Sequence, residues 1–191
     1  MKRLFLLIIP FILTACNSKS GEREEQSIAG EEKVPLTAHF NNIPPLSLPM
    51  VIDESFFKTL SAANYTAIPD TLVPIVVEDY DKNAEYFFAG KMGFNNEVQA
   101  VLVFESKLDT NFNASERFYL NTFNRDSLVN SIIFAASVSD EDHYKTLGQI
   151  AQDTLIATAK YSYNWRDGNW VKEEQPLKIA TYRIQKNGLI E

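Results

Sequence analysis

The residues best suited to contact a ligand lie in the stretch KYSYNWRDGNW, residues 160–170. It holds both tryptophans of the chain, Trp165 and Trp170, together with Tyr161 and Tyr163. Aromatic rings that stay exposed offer a stacking surface to flat ligands such as sugar rings, whereas buried rings form a hairpin core. Trp165 and Trp170 are therefore candidate ligand contacts. The turn between them determines how much of each ring is exposed to solvent.

The pair Asp167-Gly168 predicts a two-residue hairpin turn, which places Trp165 opposite Trp170. The same register pairs residues further from the turn: Arg166 with Asn169, Tyr163 with Lys172, and Tyr161 with Glu174. Because Lys172 and Glu174 on the aromatic face require water, we expect the tip to leave the core. The sequence thus predicts a core residue at Tyr161 and a half-exposed tip at Trp165 and Trp170.

Other chemistry is scarce in this sequence. His39 and His143 are the only histidines, and neither has metal-ligand spacing to a second histidine or a cysteine. The sequence contains no nucleophile elbow, phosphate-binding glycine loop or zinc-protease motif. It therefore predicts no metal site, no cofactor and no catalytic residue.

Two acidic stretches could bind or catalyse, but both are better explained as loops. In DYDKNAEY, residues 79–86, carboxylates alternate as in a calcium loop, yet the sixth position is Ala84 and the twelfth is Gly90. In SDEDHY, residues 139–144, Asp140 and Asp142 are expected to be solvated, with ordinary pKa values. Whether the Asp-Thr-Leu and Asp-Ser-Leu triplets at residues 70–72, 126–128 and 153–155 carry glycans stays open.

The elements that position these residues are predicted to be β-strands. Side chains alternate in EVQAVLVFES, where Ala100, Leu102 and Phe104 share a face opposite Glu97 and Glu105. Two further stretches alternate in the same way: SLVNSIIFAASV, with Leu128, Ile132, Phe134, Ala136 and Val138 together, and DTLIATAKYSYNW, with Leu155, Ala157, Ala159, Tyr161 and Tyr163 together. Short turns and no long helical connection predict a mainly β domain, an antiparallel meander forming a small barrel or sandwich.

The region before the strands differs in composition. Residues 34–50 contain four prolines, which predicts an extended strap. One short helix should follow, with Asp53 as its N-cap and with Phe56, Phe57 and Leu60 on one face. We therefore divide the chain into a signal at 1–15, a flexible acidic tether at 16–33, the strap at 34–50 and one all-β domain at 51–191.

The first residues, MKRLFLLIIPFILTAC, read as an export signal. Lys2 and Arg3 precede an apolar run that is too short to span a membrane as a helix. The segment LTAC, ending at Cys16, resembles the lipobox of bacterial lipoproteins. The resemblance implies that Cys16 is lipidated with palmitate-type chains and anchors the protein, and that Asn17 after it favours the outer membrane. Which face of that membrane the domain occupies stays open.

The rest of the chain is similar in style to uncharacterised all-β lipoproteins of Gram-negative gut and environmental bacteria. The similarity lies in the tether and in a final hairpin with Tyr182, Ile184, Gly188 and Ile190, and it implies no activity. The formal net charge of −7 argues against nucleic-acid partners. We expect a non-enzymatic binding or structural protein of the cell envelope, with a glycan or an envelope protein as partner. The alternative is an envelope hydrolase acting on glycans, whose carboxylates lie on separate strands.

Overall fold

The computed structural model describes residues 35–93, 97–108, 114–139, 143–152 and 155–191. Within these ranges most residues form strands, as the alternation of side chains predicts. The strands β1 to β10 are Met50–Ile52, Thr66–Ala67, Glu85–Gly93, Val98–Leu108, Ala114–Asn124, Ser127–Ser139, His143–Ile150, Leu155–Arg166, Asn169–Lys172 and Lys178–Arg183. The α-helices α1 to α3 are Leu36–Phe40, Glu54–Thr59 and Val73–Val76, and Ala62–Asn64 forms a 3-10 turn. The predicted fold class, mainly β, is confirmed.

All ten strands belong to one antiparallel sheet, in the order β10-β8-β7-β6-β5-β4-β3-β2, with β1 beside β7 and β9 beside β8. Strands β3 to β8 follow one another as neighbours, which is the predicted meander. The end strands β2 and β10 are not joined, so the sheet does not close into a barrel. The barrel alternative is thereby excluded, and the open antiparallel meander remains compatible with a sandwich.

The sheet divides between β6 and β7. Strand β6 pairs with β5 over nearly its whole length, from Val138 to Ser127, but it pairs with β7 only from Ala136 to Ser139. Beyond that point β1 takes its place beside β7, pairing Met50 with Ile150. Two register shifts within the β5–β6 pair accompany the departure. Strand β6 therefore stays paired with β5 but separates from β7 before Ala136, and a gap lies between β6 and β7 there.

Both faces of the central strands are buried. Ala100, Leu102 and Phe104 of β4 join one apolar cluster, while Val101 and Val103 join a second cluster. Because side chains alternate across a strand, these clusters lie on opposite faces. The second cluster also contains residues of α1 and α3, namely Leu36, Phe40, Val73 and Val76. Helix α1 of the strap and helix α3 thus cover a face of the sheet that the sequence had assigned to polar side chains.

Helix α2 is the one that the sequence predicts. The Asp53 carboxylate accepts hydrogen bonds from the backbone N–H groups of Ser55 and Phe56, at 2.9 and 3.0 Å. These bonds satisfy donors that would otherwise be unpaired at the first turn. The rings of Phe56 and Phe57 lie 5.7 and 6.3 Å from that of Phe118. The helix therefore packs its aromatic side against the first cluster.

Helices α1 and α3 were not predicted. Residues 34–50 were expected to be extended throughout, yet Leu36–Phe40 is helical, with Pro35 at its N-cap. Proline is tolerated there because the helix needs no N–H at its first positions. Asp126 accepts hydrogen bonds from Thr37, and Lys91 Nζ donates to the carbonyl of Phe40 at 2.7 Å. The strap is thus held at both ends of its helix.

The predicted faces of β6 and β8 need correction. The register shifts send Ile132 to the first cluster, whereas Leu128 packs against the second, so the β6 side chains do not share one face. In β8 the buried residues near its start are Ile156 and Thr158, while Leu155 is 38% exposed. The alternation was recognised correctly, but its buried side was assigned wrongly for the first half of β8.

Glu105 is the clearest departure from the expected polar face. Its side chain is only 1% exposed and forms an ion pair with Arg117 at 2.7 Å. The hydroxyls of Tyr119 and Tyr86 donate to its other oxygen at 2.9 and 3.2 Å. Burial, aided by the Glu105 charge, raises the pKa of Tyr86 to about 12. Both carboxylate oxygens therefore have donors, and the network serves the fold.

Candidate functional site: the aromatic hairpin

The hairpin formed by β8 and β9 has the predicted register. Trp165 lies opposite Trp170, Arg166 opposite Asn169 and Tyr163 opposite Lys172. Asp167 and Gly168 adopt φ of 49° and 80°, the left-handed turn that favours glycine and aspartate. The predicted pair of Tyr161 with Glu174 is wrong, because the ladder with β9 ends at Lys172 and Tyr161 pairs with Lys145 of β7.

The tip of the hairpin is exposed, as predicted. Trp165 is 61% exposed and Trp170 is 47% exposed, although both are large apolar side chains. Their rings meet edge to face, with centroids 5.3 Å apart and planes at 72°. This geometry is the favourable one for aromatic pairs. It leaves one broad face of Trp165 open to solvent beside a fixed neighbour.

His143, at the start of β7, braces the hairpin from the neighbouring strand. Its ring stacks on Trp170, with centroids 4.2 Å apart and planes at 8°, and meets Tyr163 edge to face at 5.7 Å. Burial, and then repulsion from Lys145, lowers the pKa of His143. His143 is therefore an uncharged ring at neutral pH and part of the aromatic surface.

Tyr163, not Tyr161, is the core residue of the hairpin. Tyr163 is 8% exposed, whereas Tyr161 is half-buried beneath Lys172, whose Nζ lies 3.9 Å from the ring centroid. The Tyr163 hydroxyl is buried without a hydrogen bond of good geometry. Burial raises its pKa, and the nearby Glu54 carboxylate raises it further. A buried hydroxyl without a firm partner is an unsatisfied polar group, which is rare in folded proteins.

Charged groups border the aromatic surface. Lys172 Nζ lies 2.9 Å from the carboxylate of Glu54, the first residue of helix α2. Lys145 Nζ lies 5.3 Å from the centroid of the Tyr163 ring. Partial burial acts to raise the pKa of Glu54, but contacts with Lys172 and Tyr163 lower it overall. We call His143, Tyr163, Trp165 and Trp170, with Lys145, Lys172 and Glu54 at their border, the aromatic hairpin site.

Three members of this site, His143, Lys145 and Glu54, are not predicted from the sequence. Only the pairing of β7 with β8 brings His143 and Lys145 to the hairpin, and only the position of α2 brings Glu54. No local motif signals these contacts, because each of them joins separate segments of the chain.

The remaining sequence candidates lie elsewhere. His39 is half-buried in α1 and belongs to no group of three or more possible metal ligands within the described part of the chain. Residues 79–84 form turns that lead into β3, as predicted, and Asp81 pairs there with Lys107 at 2.6 Å. Cys16, Asp140 and Asp142 lie outside the described residues.

The described residues contain no helix long and apolar enough to cross a membrane. Comparisons of the chain with protein-family models, with curated proteins and with solved structures found no match.

Proposed function

We propose that this chain is a lipid-anchored protein of the bacterial outer membrane with a non-enzymatic binding role, and that the aromatic hairpin site binds glycans. The observation that carries the proposal is the exposure of Trp165 and Trp170, braced by His143. Exposed large aromatic rings are unfavourable unless they meet a partner, and sugar rings present a flat apolar face of matching size. Lys145, Lys172 and Glu54 supply donors and an acceptor for sugar hydroxyls at the border.

Rigidity of the rings supports binding as well. Each tryptophan is held by the strand ladder and by a second ring, so little side-chain freedom remains to be lost when a ligand stacks. Trp and Tyr are the residues that most often dominate binding energy at exposed sites. An envelope protein with a matching apolar surface is the other partner that this site could accept.

A glycan array with the purified chain tests the binding role, followed by titration of any glycan that binds. We expect Trp165→Ala to weaken binding by about tenfold or more, which corresponds to loss of roughly 1.4 kcal/mol of stacking. Tyr80→Ala is the matched control, because Tyr80 is a partly exposed aromatic residue outside the hairpin. Equal binding by the two variants, or no glycan bound by the unmodified chain, would refute the proposal.

Tyr163→Phe separates the hydroxyl from the ring. Because the hydroxyl makes no good hydrogen bond, its removal should leave the melting temperature unchanged or slightly higher. If a ligand uses the hydroxyl, affinity should fall while stability does not. A drop in stability without any change in affinity would assign the hydroxyl to the fold.

The anchoring part of the proposal rests on the sequence LTAC at residues 13–16. Metabolic labelling with palmitate should mark the unmodified chain and leave Cys16→Ser unlabelled. We expect the variant to accumulate as an unprocessed precursor or to be released from membranes. Equal labelling of both chains would contradict lipidation at Cys16.

A glycan hydrolase is the second candidate, and one observation favours it. Burial raises the pKa of Glu116, whereas Glu54 has a lowered pKa, and both carboxylates interact with Lys145. The register places Glu116 on the same face as Lys145, because Glu116 lies opposite Ser137 and Ser137 lies opposite Lys145. A glycosidase needs one carboxyl group with a raised pKa and one ionised carboxylate, which is the combination found here. Release of reducing sugar from glycans that bind, and its loss in Glu116→Gln, would support hydrolysis. Binding without turnover would leave the binding role alone.

A further inference from the structure

The gap between β6 and β7 forms a cleft on the other face of β8. It has a volume of about 360 Å³ and is open to solvent. Its lining residues are Ile132 and Ile133 of β6, Tyr144 and Thr146 of β7, Thr158 and Lys160 of β8, and Lys178 and Tyr182 of β10. The cleft exists because β6 pairs with β7 only from Ala136 onward. Ile132 and Ile133, which precede Ala136 in β6, therefore form a separate wall.

Two lysines lie directly opposite each other at the rim. Lys160 pairs with Lys178 in the β8–β10 ladder, and Thr146 pairs with Lys160 from the other side. Directly opposed like charges destabilise a strand pair. Within the described residues neither ammonium group has a carboxylate partner, and no aspartate or glutamate lines the cleft. Two uncompensated cations converge here on an otherwise acidic protein.

One of the lysines is held in place. Lys160 Nζ lies 3.6 Å from the centroid of the Tyr144 ring, a cation–π contact that fixes its direction without neutralising its charge. Arg117 adds no free positive charge here, because its guanidinium is paired with Glu105 at 2.7 Å, so the charge in the cleft comes from the two lysines. The electrostatic field in the cleft is therefore positive.

The remaining lining suits an uncharged body. Ile132 and Ile133 form an aliphatic wall, and Tyr182 is half-buried at the other side. Thr146 and Thr158, both buried, add two hydroxyl-bearing side chains to the lining. A volume of about 360 Å³ falls at the lower end of the range for ligand sites, roughly 300–1,000 Å³.

We propose that this cleft, the two-lysine cleft, binds an organic anion with an apolar body, whose oxyanion group lies between Lys160 and Lys178. The shared chemistry is a carboxylate or phosphate on a short aliphatic chain, as in a fatty acid or a lipid phosphate. The charged group would offset the repulsion between the lysines, and the chain would cover Ile132 and Ile133. This site is independent of the aromatic hairpin site, which uses the opposite face of β8.

Isothermal titration with short amphiphiles tests the proposal on the full chain. Octanoate, octyl phosphate and inorganic phosphate vary the charged group and the apolar body, and octyl tetraethylene glycol ether lacks charge. We expect octanoate or octyl phosphate to bind, inorganic phosphate to bind more weakly, and the uncharged ether not to bind. The ratio of the two affinities identifies the preferred oxyanion, and both should fall as salt rises.

Substitution of the lysines by methionine removes the charge and keeps an unbranched stem. Lys160→Met combined with Lys178→Met should weaken anion binding by about tenfold or more, since charge-assisted hydrogen bonds are lost. The same variant, without ligand, should melt at a higher temperature because the repulsion is gone. Lys58→Met, on helix α2, removes one positive charge away from the cleft, which matches the single variant Lys178→Met, and it should change neither property.

Three results would overturn the proposal. They are unchanged anion affinity in the double variant, equal loss of affinity in Lys58→Met, and binding of the uncharged ether as tight as that of the anions. If the double variant does not fold, Lys178→Met alone carries the test, because Lys178 is exposed on the edge strand β10. Glycan binding at the hairpin should survive every one of these lysine substitutions.

Discussion

Replacing Glu105 by alanine would expose how much the fold depends on one buried carboxylate. The substitution leaves the Arg117 guanidinium without its ion-pair partner and two tyrosine hydroxyls without an acceptor. Breaking a fully buried pair costs about 3–5 kcal/mol. Arg117 keeps 28% of its side chain exposed, so water recovers part of the loss. We therefore expect a decrease of about 3 kcal/mol in the free energy of unfolding.

Urea unfolding followed by circular dichroism measures this difference. Glu97→Ala is the matched control, because Glu97 makes an ion pair with Arg125 in which both side chains are more than half exposed. Exposed pairs contribute about 0–1 kcal/mol. A loss below about 1 kcal/mol for Glu105→Ala, similar to the control, would refute the assignment of Glu105 as a buried structural residue.

Removing both charges distinguishes burial from attraction. Glu105→Leu with Arg117→Met replaces the pair by apolar side chains of similar size. Such replacements are often neutral or stabilising, because the charges no longer need to leave water. We expect the double variant to be more stable than Glu105→Ala. If the double variant is the less stable of the two, the attraction within the pair exceeds its desolvation, and our reasoning fails.

Two further predictions concern packing and pH. A side chain at Gly148 would meet the Phe134 backbone oxygen and ring, so Gly148→Ala should lower the free energy of unfolding by about 1–3 kcal/mol. Gly93→Ala, with nothing within 4 Å, should change it little in the same urea titration. Because burial raises the pKa of Glu116, its ionisation opposes folding at neutral pH and ceases to do so below the unfolded pKa, near 4.3. Glu116→Gln should therefore raise the melting temperature at pH 7 but not near pH 4. An equal increase in melting temperature at both pH values would contradict the raised pKa of Glu116.

The sequence predicts the strands well because alternation is a local property. It predicts the capped helix at Asp53 and the turn at Asp167-Gly168 for the same reason, since both depend on neighbouring residues. Helix α1 was not predicted because it has only five residues and lies in a proline-rich segment. The side chains that hold it, Asp126 and Lys91, are far away in the sequence. Its stability comes from packing, which no local pattern records.

The buried side of a strand is harder to assign than the strand itself. In β4 the sequence contains a sign that the second face is also buried, because Val101 and Val103 lie between Gln99 and Glu105 on that face. Two valines among polar residues indicate a strand buried on both faces. In β6 the register shifts move side chains from one face to the other, and nothing in the sequence marks their position.

Strand β8 is where both proposed sites meet. Its odd-numbered residues Tyr163 and Trp165 belong to the aromatic hairpin site, and its even-numbered residues Thr158 and Lys160 line the two-lysine cleft. A slip of one residue in its pairing would exchange the two sets of side chains, so both sites depend on one register. That register is fixed by pairing with three strands, β7, β9 and β10. Substitutions confined to one face should therefore affect one ligand class, whereas changes in the ladder of β8 should impair both.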